Sequence, residues 1–151
     1  RHTISARGGD GSGRALLIDE SYNANPTSMR ATLAQLGATP ARRRLVVLGA
    51  MKELGTHGPA YHAALIEPLT ASGADFAVLV GDEMQSLADE LGKAAQTALG
   101  KPIAFAHCGT AAEALKALAA HGVEGGDAIL VKGSNSVGLG TVVAALAQQK
   151  D

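Results

Sequence analysis

Five short apolar runs constrain this chain more than any other feature: Ala15 to Asp19, Leu45 to Gly49, Phe76 to Gly81, Ile103 to His107 and Ala128 to Gly133. None alternates polar with apolar residues. A strand with one wet face alternates, whereas a strand covered on both faces reads as a continuous Val/Ile/Leu/Ala run. The runs therefore predict strands buried on both sides.

Helical periodicity fills the gaps. Asn25-Pro26 opens the first helix as N-cap and N1 proline, Met29, Leu33 and Leu36 form its stripe, and Gly37 closes it. A second spans about Gly58 to Ser72, with Tyr61, Leu65 and Leu69 on one face and Pro68 expected to kink or interrupt it. A third runs from about Glu83 to Leu99. The fourth starts at the capping-box pattern Thr110-Ala111-Ala112-Glu113 and ends at His121 before Gly122. The last carries Val142, Val143 and Leu146. Strands that alternate with helices pair in parallel through right-handed crossovers. In front, His2 to Ala6 predicts an antiparallel edge strand, joined to the first run by a flexible glycine-rich hairpin loop, Gly8 to Gly13. The fold class that follows is α/β, a doubly wound, Rossmann-like sheet of about five parallel strands plus one antiparallel edge strand. Without an internal repeat or linker, residues 1–151 are expected to form a single domain.

Composition narrows function by exclusion. A net charge of −1 and 3% aromatic residues without Trp argue against nucleic acid as a partner. The apolar runs last about five or six residues, against the ~20 of a membrane span. No apolar signal segment follows Arg1, and the single Cys108 suits a reducing compartment, so a cytoplasmic location without membrane insertion is expected. Cys108 itself reads as a small buried residue and Arg42-Arg43-Arg44 as a solvated loop edge.

Ligands of open α/β sheets bind beyond the carboxyl ends of the strands. Polar residues cluster there after the first run, Asp19-Glu20-Ser21-Tyr22-Asn23-Ala24-Asn25-Pro26, and after the fifth, Lys132-Gly133-Ser134-Asn135-Ser136. Plainer roles compete: Asn25 as a helix cap, Asp19 bonding amides of its own turn, Lys132 and Ser134 as solvated loop residues. No phosphate loop, H-E-x-x-H motif or nucleophile elbow occurs, and His57 and His62 are poorly spaced for a metal, so no metal site is expected. Gly138-Leu139-Gly140 only imitates a dinucleotide fingerprint, since it follows the last strand.

Three stretches together resemble the third domain of the Mur ligases, in the branch that adds D-alanyl-D-alanine. Residues 19–26 are similar to D-D-S-Y-N-A-N-P. Leu48-Gly49-Ala50-Met51-Lys52-Glu53-Leu54-Gly55 is similar to L-G-D-M-x-E-L-G, with His62 where a following His is usual. Leu130-Val131-Lys132-Gly133-Ser134-Asn135-Ser136 is similar to L-V-K-G-S-R-S. The resemblance implies a three-domain, ATP-dependent enzyme of peptidoglycan synthesis. Its N-terminal domain would hold UDP-N-acetylmuramoyl-tripeptide, and its central domain would hold most of the ATP and Mg2+. This chain would be the closing C-terminal domain, inactive alone and without a catalytic residue of its own.

The reaction so implied activates the tripeptide as an acyl phosphate, which the D-Ala-D-Ala amine attacks. Asp19 would accept from the ribose hydroxyls, with Tyr22, Asn23 and Asn25 beside adenine and ribose. Lys132, Ser134 and Asn135 would face the dipeptide. Three residues depart from the pattern: Glu20 and Ala50 replace aspartates, and Asn135 replaces an arginine, removing a bidentate carboxylate clamp. Among rivals, a receiver-like phospho-signalling domain would share Asp19, Glu20 and Lys132. It needs an Asp closing the third run, where Gly81 stands with Asp82 one later. A stand-alone dinucleotide-binding domain lacks its glycine fingerprint after the first strand.

Overall fold

The computed structural model describes residues 1–97 and 102–148. One six-stranded sheet carries β1 (His2–Ser5), β2 (Arg14–Glu20), β3 (Arg44–Gly49), β4 (Phe76–Val80), β5 (Ala104–Cys108) and β6 (Ala128–Lys132), in the order β1-β2-β6-β3-β4-β5. β1 pairs antiparallel with β2, and the other pairs are parallel. This is the expected doubly wound sheet with one antiparallel edge.

The continuous runs become strands covered on both faces. In β3, Val46 and Leu48 enter one core with Met29, Leu33 and Leu36, while Leu45 and Val47 enter the other with Leu118, Val142 and Leu146. Successive strand residues point to opposite faces, so neither face has room for a polar residue. The helices α1 (Pro26–Ala38), α2 (Gly58–Ala63), α3 (Ile66–Ala71) and α4 (Gln85–Gln96) cover the first face. The helices α5 (Ala111–His121) and α6 (Gly140–Ala147) cover the second. Right-handed crossovers require this split, because the chain steps outward from β3 to β5 and then back to β6.

Two helix expectations change in detail. The stretch 58–72 is two helices, parted at Ala64-Leu65. Pro68 has no N–H for the Ala64 carbonyl, and its ring would press on that group, so the break falls one turn before the proline. The third helix begins as a 3-10 turn at Asp82–Met84 before α4, and its expected end at Leu99 lies outside the described residues.

Two loop readings are corrected. The Gly8–Gly13 loop is pinned: the Asp10 amide donates to Gly125 O at 3.0 Å, and a Cβ on Gly9 (φ 60°) would lie 2.2 Å from that oxygen. The arginine run is not a solvated edge. Arg42 alone is exposed, Arg43 forks onto Asp127, and Arg44 donates from Nε to Leu36 O (3.0 Å) and from Nη2 to Thr39 O (2.6 Å). The Arg43 partner lies 84 positions away and those of Arg44 in the turn that ends α1, and local composition reveals neither. Cys108 is half-buried, and burial raises its thiol pKa.

Candidate functional site

The carboxyl ends of β2, β6 and β3 lie side by side, with Glu20 opposite Lys132 and Lys132 opposite Leu48. The chain leaves β6 for one face of the sheet and leaves both neighbours for the other. A crevice opens at such a reversal. Close backbone approach shapes its floor: a Cβ on Gly133 would stand 2.8 Å from Leu139 Cδ1 and 3.0 Å from Gly49 Cα. Only glycine leaves room at that crossing.

Asp19 ends half-buried on β2, and its Oδ1 accepts from the Ser21 amide (3.0 Å) and hydroxyl (2.6 Å). It therefore has the turn-bonding role, while Oδ2 is the oxygen left for a donor from outside. Tyr22 is 64% exposed, and its phenol pKa is raised by the neighbouring Glu20 carboxylate, first through hydrogen bonding and then through charge. Asn25 caps α1: its Oδ1 accepts from the Ser28 amide (2.8 Å), and Ser28 Oγ accepts from the Asn25 amide (3.1 Å). Capping uses the carbonyl end of that amide and leaves its NH2 end.

From β6, Lys132 is not a solvated loop residue. It is 2% exposed, and its Nζ donates to the Asn23 carbonyl at 2.9 Å, joining positions 109 apart in sequence. Burial lowers its pKa, opposed by the Glu20 charge. Ser134 is half-buried with Oγ 3.1 Å from Ser136 Oγ, and Asn135 is exposed at the start of a 3-10 turn, Asn135–Val137. The crevice thus brings Asp19, Tyr22, Asn23, Asn25, Lys132, Ser134 and Asn135 to one edge of the sheet, with the Lys132–Asn23 bond linking the two loops.

A pocket of about 370 Å³ at the ends of β3 and β4 was not among the sequence candidates. Lys52, Glu53, Asp82, Glu83 and His62 are among its lining residues. Lys52 pairs with Glu83 at 2.5 Å and thereby lowers the Glu83 pKa. Glu53 has φ 62°, a left-handed conformation that a side chain resists. His62, 1% exposed, accepts at Nε2 from the Met51 amide (2.9 Å). Because an amide can only donate, the ring proton sits on Nδ1, which donates to Gly58 O at 2.7 Å. His62 is thus a buried neutral strut for the β3 loop. The signal available in sequence was the strand-end position of Lys52 and Glu53, two charges following an apolar run.

Val80 closes β4, Gly81 follows it and Asp82 opens the next turn, so the receiver-like template lacks its acceptor at the strand end. Among the described residues, no three His, Cys, Asp or Glu side chains converge as a metal would require, and no helix is long and apolar enough to cross a membrane.

Residues 8–135 match the family described as Mur ligase, glutamate ligase domain. The chain is similar to the UDP-N-acetylmuramoyl-tripeptide--D-alanyl-D-alanine ligase of Synechocystis sp., 39% identical over 131 residues, which are 87% of this chain and 27% of that protein. The Escherichia coli protein of the same name is 38% identical over 131 residues, 87% of this chain and 26% of its own length. The chain therefore spans about a quarter of these relatives. In solved structures it resembles MurF from Acinetobacter baumannii, with a TM-score of 0.72 at 28% identity, over 89% of this chain and 28% of that one.

Proposed function

This chain belongs to the Mur ligase family through its glutamate ligase domain, and on that footing we propose that it is the C-terminal domain of a three-domain, ATP-dependent ligase. The ligase would join D-Ala-D-Ala to UDP-N-acetylmuramoyl-tripeptide through an acyl phosphate. The observation that carries this reading is the meeting of two motif loops at one crevice, bound together by Lys132 and Asn23. The names of the relatives supply the substrates.

In this reading the β2 loop serves the nucleotide. Asp19 Oδ2 is an acceptor suited to ribose hydroxyls, Tyr22 an exposed ring for the adenine side, and Asn23 and the free NH2 end of Asn25 polar groups for its edge. ATP supplies the phosphoryl group that activates the carboxylate, and with Mg2+ it would be held chiefly by the central domain. Ser134 and Asn135 present hydroxyl and amide groups to the dipeptide. Lys132 is the member of that set whose amine is already engaged. Closure of the domain would place these groups and keep water from the acyl phosphate. The N-terminal and central domains are thus its partners, and the cytoplasm, where nucleotide-linked precursors are made, its location.

The test is a titration of this chain with ADP, ATP and D-Ala-D-Ala, followed through backbone amide shifts. Nucleotide should move Asp19 to Asn25 and dipeptide should move Ser134 to Ser136. Nucleotide-dependent shifts centred instead on the Arg43–Asp127 end of the sheet would sink the assignment. ATP-dependent amide formation by this chain alone would overturn the division of labour.

A further inference from the structure

A lysine side chain is almost never fully buried without a partner, and Lys132 is 2% exposed with its Nζ on the Asn23 carbonyl at 2.9 Å. The loop that it reaches is anchored at both ends. Asp19 holds Ser21 at the start, and the Asn25–Ser28 capping box holds the finish. Between those anchors, no backbone–backbone hydrogen bond involves Tyr22, Asn23 or Ala24 among the described residues. Lys132 meets the middle of the span, and its ammonium points across to the β2 loop while Ser134 and Asn135 lie toward solvent on its own.

We propose that Lys132 is a positioning residue for the nucleotide-side loop: its ammonium fixes the Asn23 carbonyl, and through it the placement of Tyr22 and Asn25, in place of touching the dipeptide. The inference deepens the proposed function and rests on it for the identity of the ligand. It also explains why the buried position needs a long cationic side chain. The brace must cross from β6 to β2 at the strand ends, and a charged donor holds a carbonyl about twice as strongly as a neutral one.

Lys132→Met keeps the bulk and removes the donor, and Asn23 is an exposed residue whose carbonyl can turn to water, so the variant should fold. Thermal melts of Lys132→Met and Lys132→Ala identify which variant is fit to use. In the free chain, the Asn23 carbonyl-carbon and Ala24 amide-nitrogen resonances, which share one peptide plane, should shift more than those of Ser134 to Ser136. No change there overturns the brace, whatever the ligand. With ADP, the affinity of Lys132→Met should fall about tenfold, while dipeptide shifts at Ser134 to Ser136 persist. In the ligase complete with its other domains, KM for ATP should rise and KM for the dipeptide should hold. Loss of dipeptide binding with ADP binding intact would make Lys132 a substrate contact and end the proposal. If the unmutated chain alone binds neither ligand, the two resonances still decide the brace, and KM for ATP in the complete ligase decides its service to the nucleotide.

Discussion

At the amino ends of β3 and β6, Arg43 donates from Nε and Nη2 to both oxygens of Asp127, at 2.9 and 2.6 Å, and the Asp127 side chain is fully buried. Arg42 adds Glu124 at 3.0 Å, and the Glu124 amide donates to Asp127 at 2.7 Å. At the carboxyl ends, Asp19 engages Ser21 two residues on, Tyr22 stands 64% exposed, and Lys52 and Glu83 form a pair open to water. The amino end uses its charges to hold segments together, whereas the carboxyl end presents most of its own, Lys132 being the charge that braces two loops there. Stability should therefore concentrate at the amino end and ligand chemistry at the carboxyl end.

The strongest attempt to break this contrast is Asp127→Ala. It takes the buried carboxylate from Arg43, which keeps the Gly122 carbonyl, and releases the Glu124 amide. Removing one partner of a buried pair costs ~3–5 kcal/mol. Arg43 is 22% exposed and regains some water, so the expected loss is about 3 kcal/mol by urea unfolding. Nucleotide-induced shifts in the β2 loop of the folded fraction should be unchanged. If those shifts vanish under conditions where the variant is still folded, the two ends are coupled and the contrast fails.

How much of this was legible in sequence depends on the reach of the forces involved. The strands were, because burial on both faces leaves a continuous apolar run, as in Leu45 to Gly49. So were the caps, since Asn25–Ser28 and Thr110–Glu113 bond over three residues. The break at Ala64-Leu65 was foreseeable from Pro68, though its position took the carbonyl one turn back to fix. Arg43 and Arg44 were misread as solvated, and the same role was left open for Lys132, for one reason. Their partners are Asp127, Thr39 and Asn23, and a charged side chain looks solvated until the chain segment that buries it is known. The edge pocket was missed differently, because Lys52 and Glu53 are ordinary residues made distinctive only by a left-handed turn.

His62→Ala sharpens the contrast from the other side, because His62, like Lys132, is a carboxyl-end residue that is buried and ties segments together. Its loss would orphan the Met51 amide and open a cavity beneath the β3 loop, while the Gly58 carbonyl keeps its bond within the helix. A buried unmet donor costs ~1–3 kcal/mol, and the cavity adds to it. A loss of about 2–3 kcal/mol in urea, with nucleotide shifts retained, would place His62 among the structural residues. Undiminished stability would mean that the β3 loop contributes little to the fold.

Glu53→Gly is expected to act in the opposite direction and more weakly. A side chain at φ 62° costs about 1–2 kcal/mol, while glycine gives back ~0.4–1 through the freer unfolded chain. The net is a stabilisation of roughly half a kcal/mol, measurable as a higher urea midpoint at constant slope. A lower midpoint would show that the Glu53 side chain itself holds the loop, and that the conformation is supported by contact rather than endured as strain.

The smallest effect concerns pH, and it should arise at the amino end although carboxylates crowd the other. His121 stacks on Phe76, with centroids 4.1 Å apart and planes 4° from parallel. Desolvation in that stack, and then the charge of Arg43, lower its pKa from the ordinary 6.5, against raising by Asp127, Glu124 and Asp75. The folded state thus resists a proton that the unfolded state accepts. By linkage the full contribution of His121 is present above pH 6.5, and it declines as pH falls from there to the lower folded pKa, below which it changes no further. His121→Phe keeps a ring against Phe76 without the titration, so its urea midpoint should vary less between pH 7 and pH 5 than that of the unmutated chain. Equal slopes in the two proteins would show that His121 does not carry the sensitivity between pH 7 and pH 5; that of the exposed Lys52–Glu83 pair sets in lower. Glu83 has a lowered pKa, so its contribution is lost only in the more acidic range where carboxylates titrate, below the ordinary 4.5. The two onsets are therefore separable in a single pH series, and each reports on one end of the sheet.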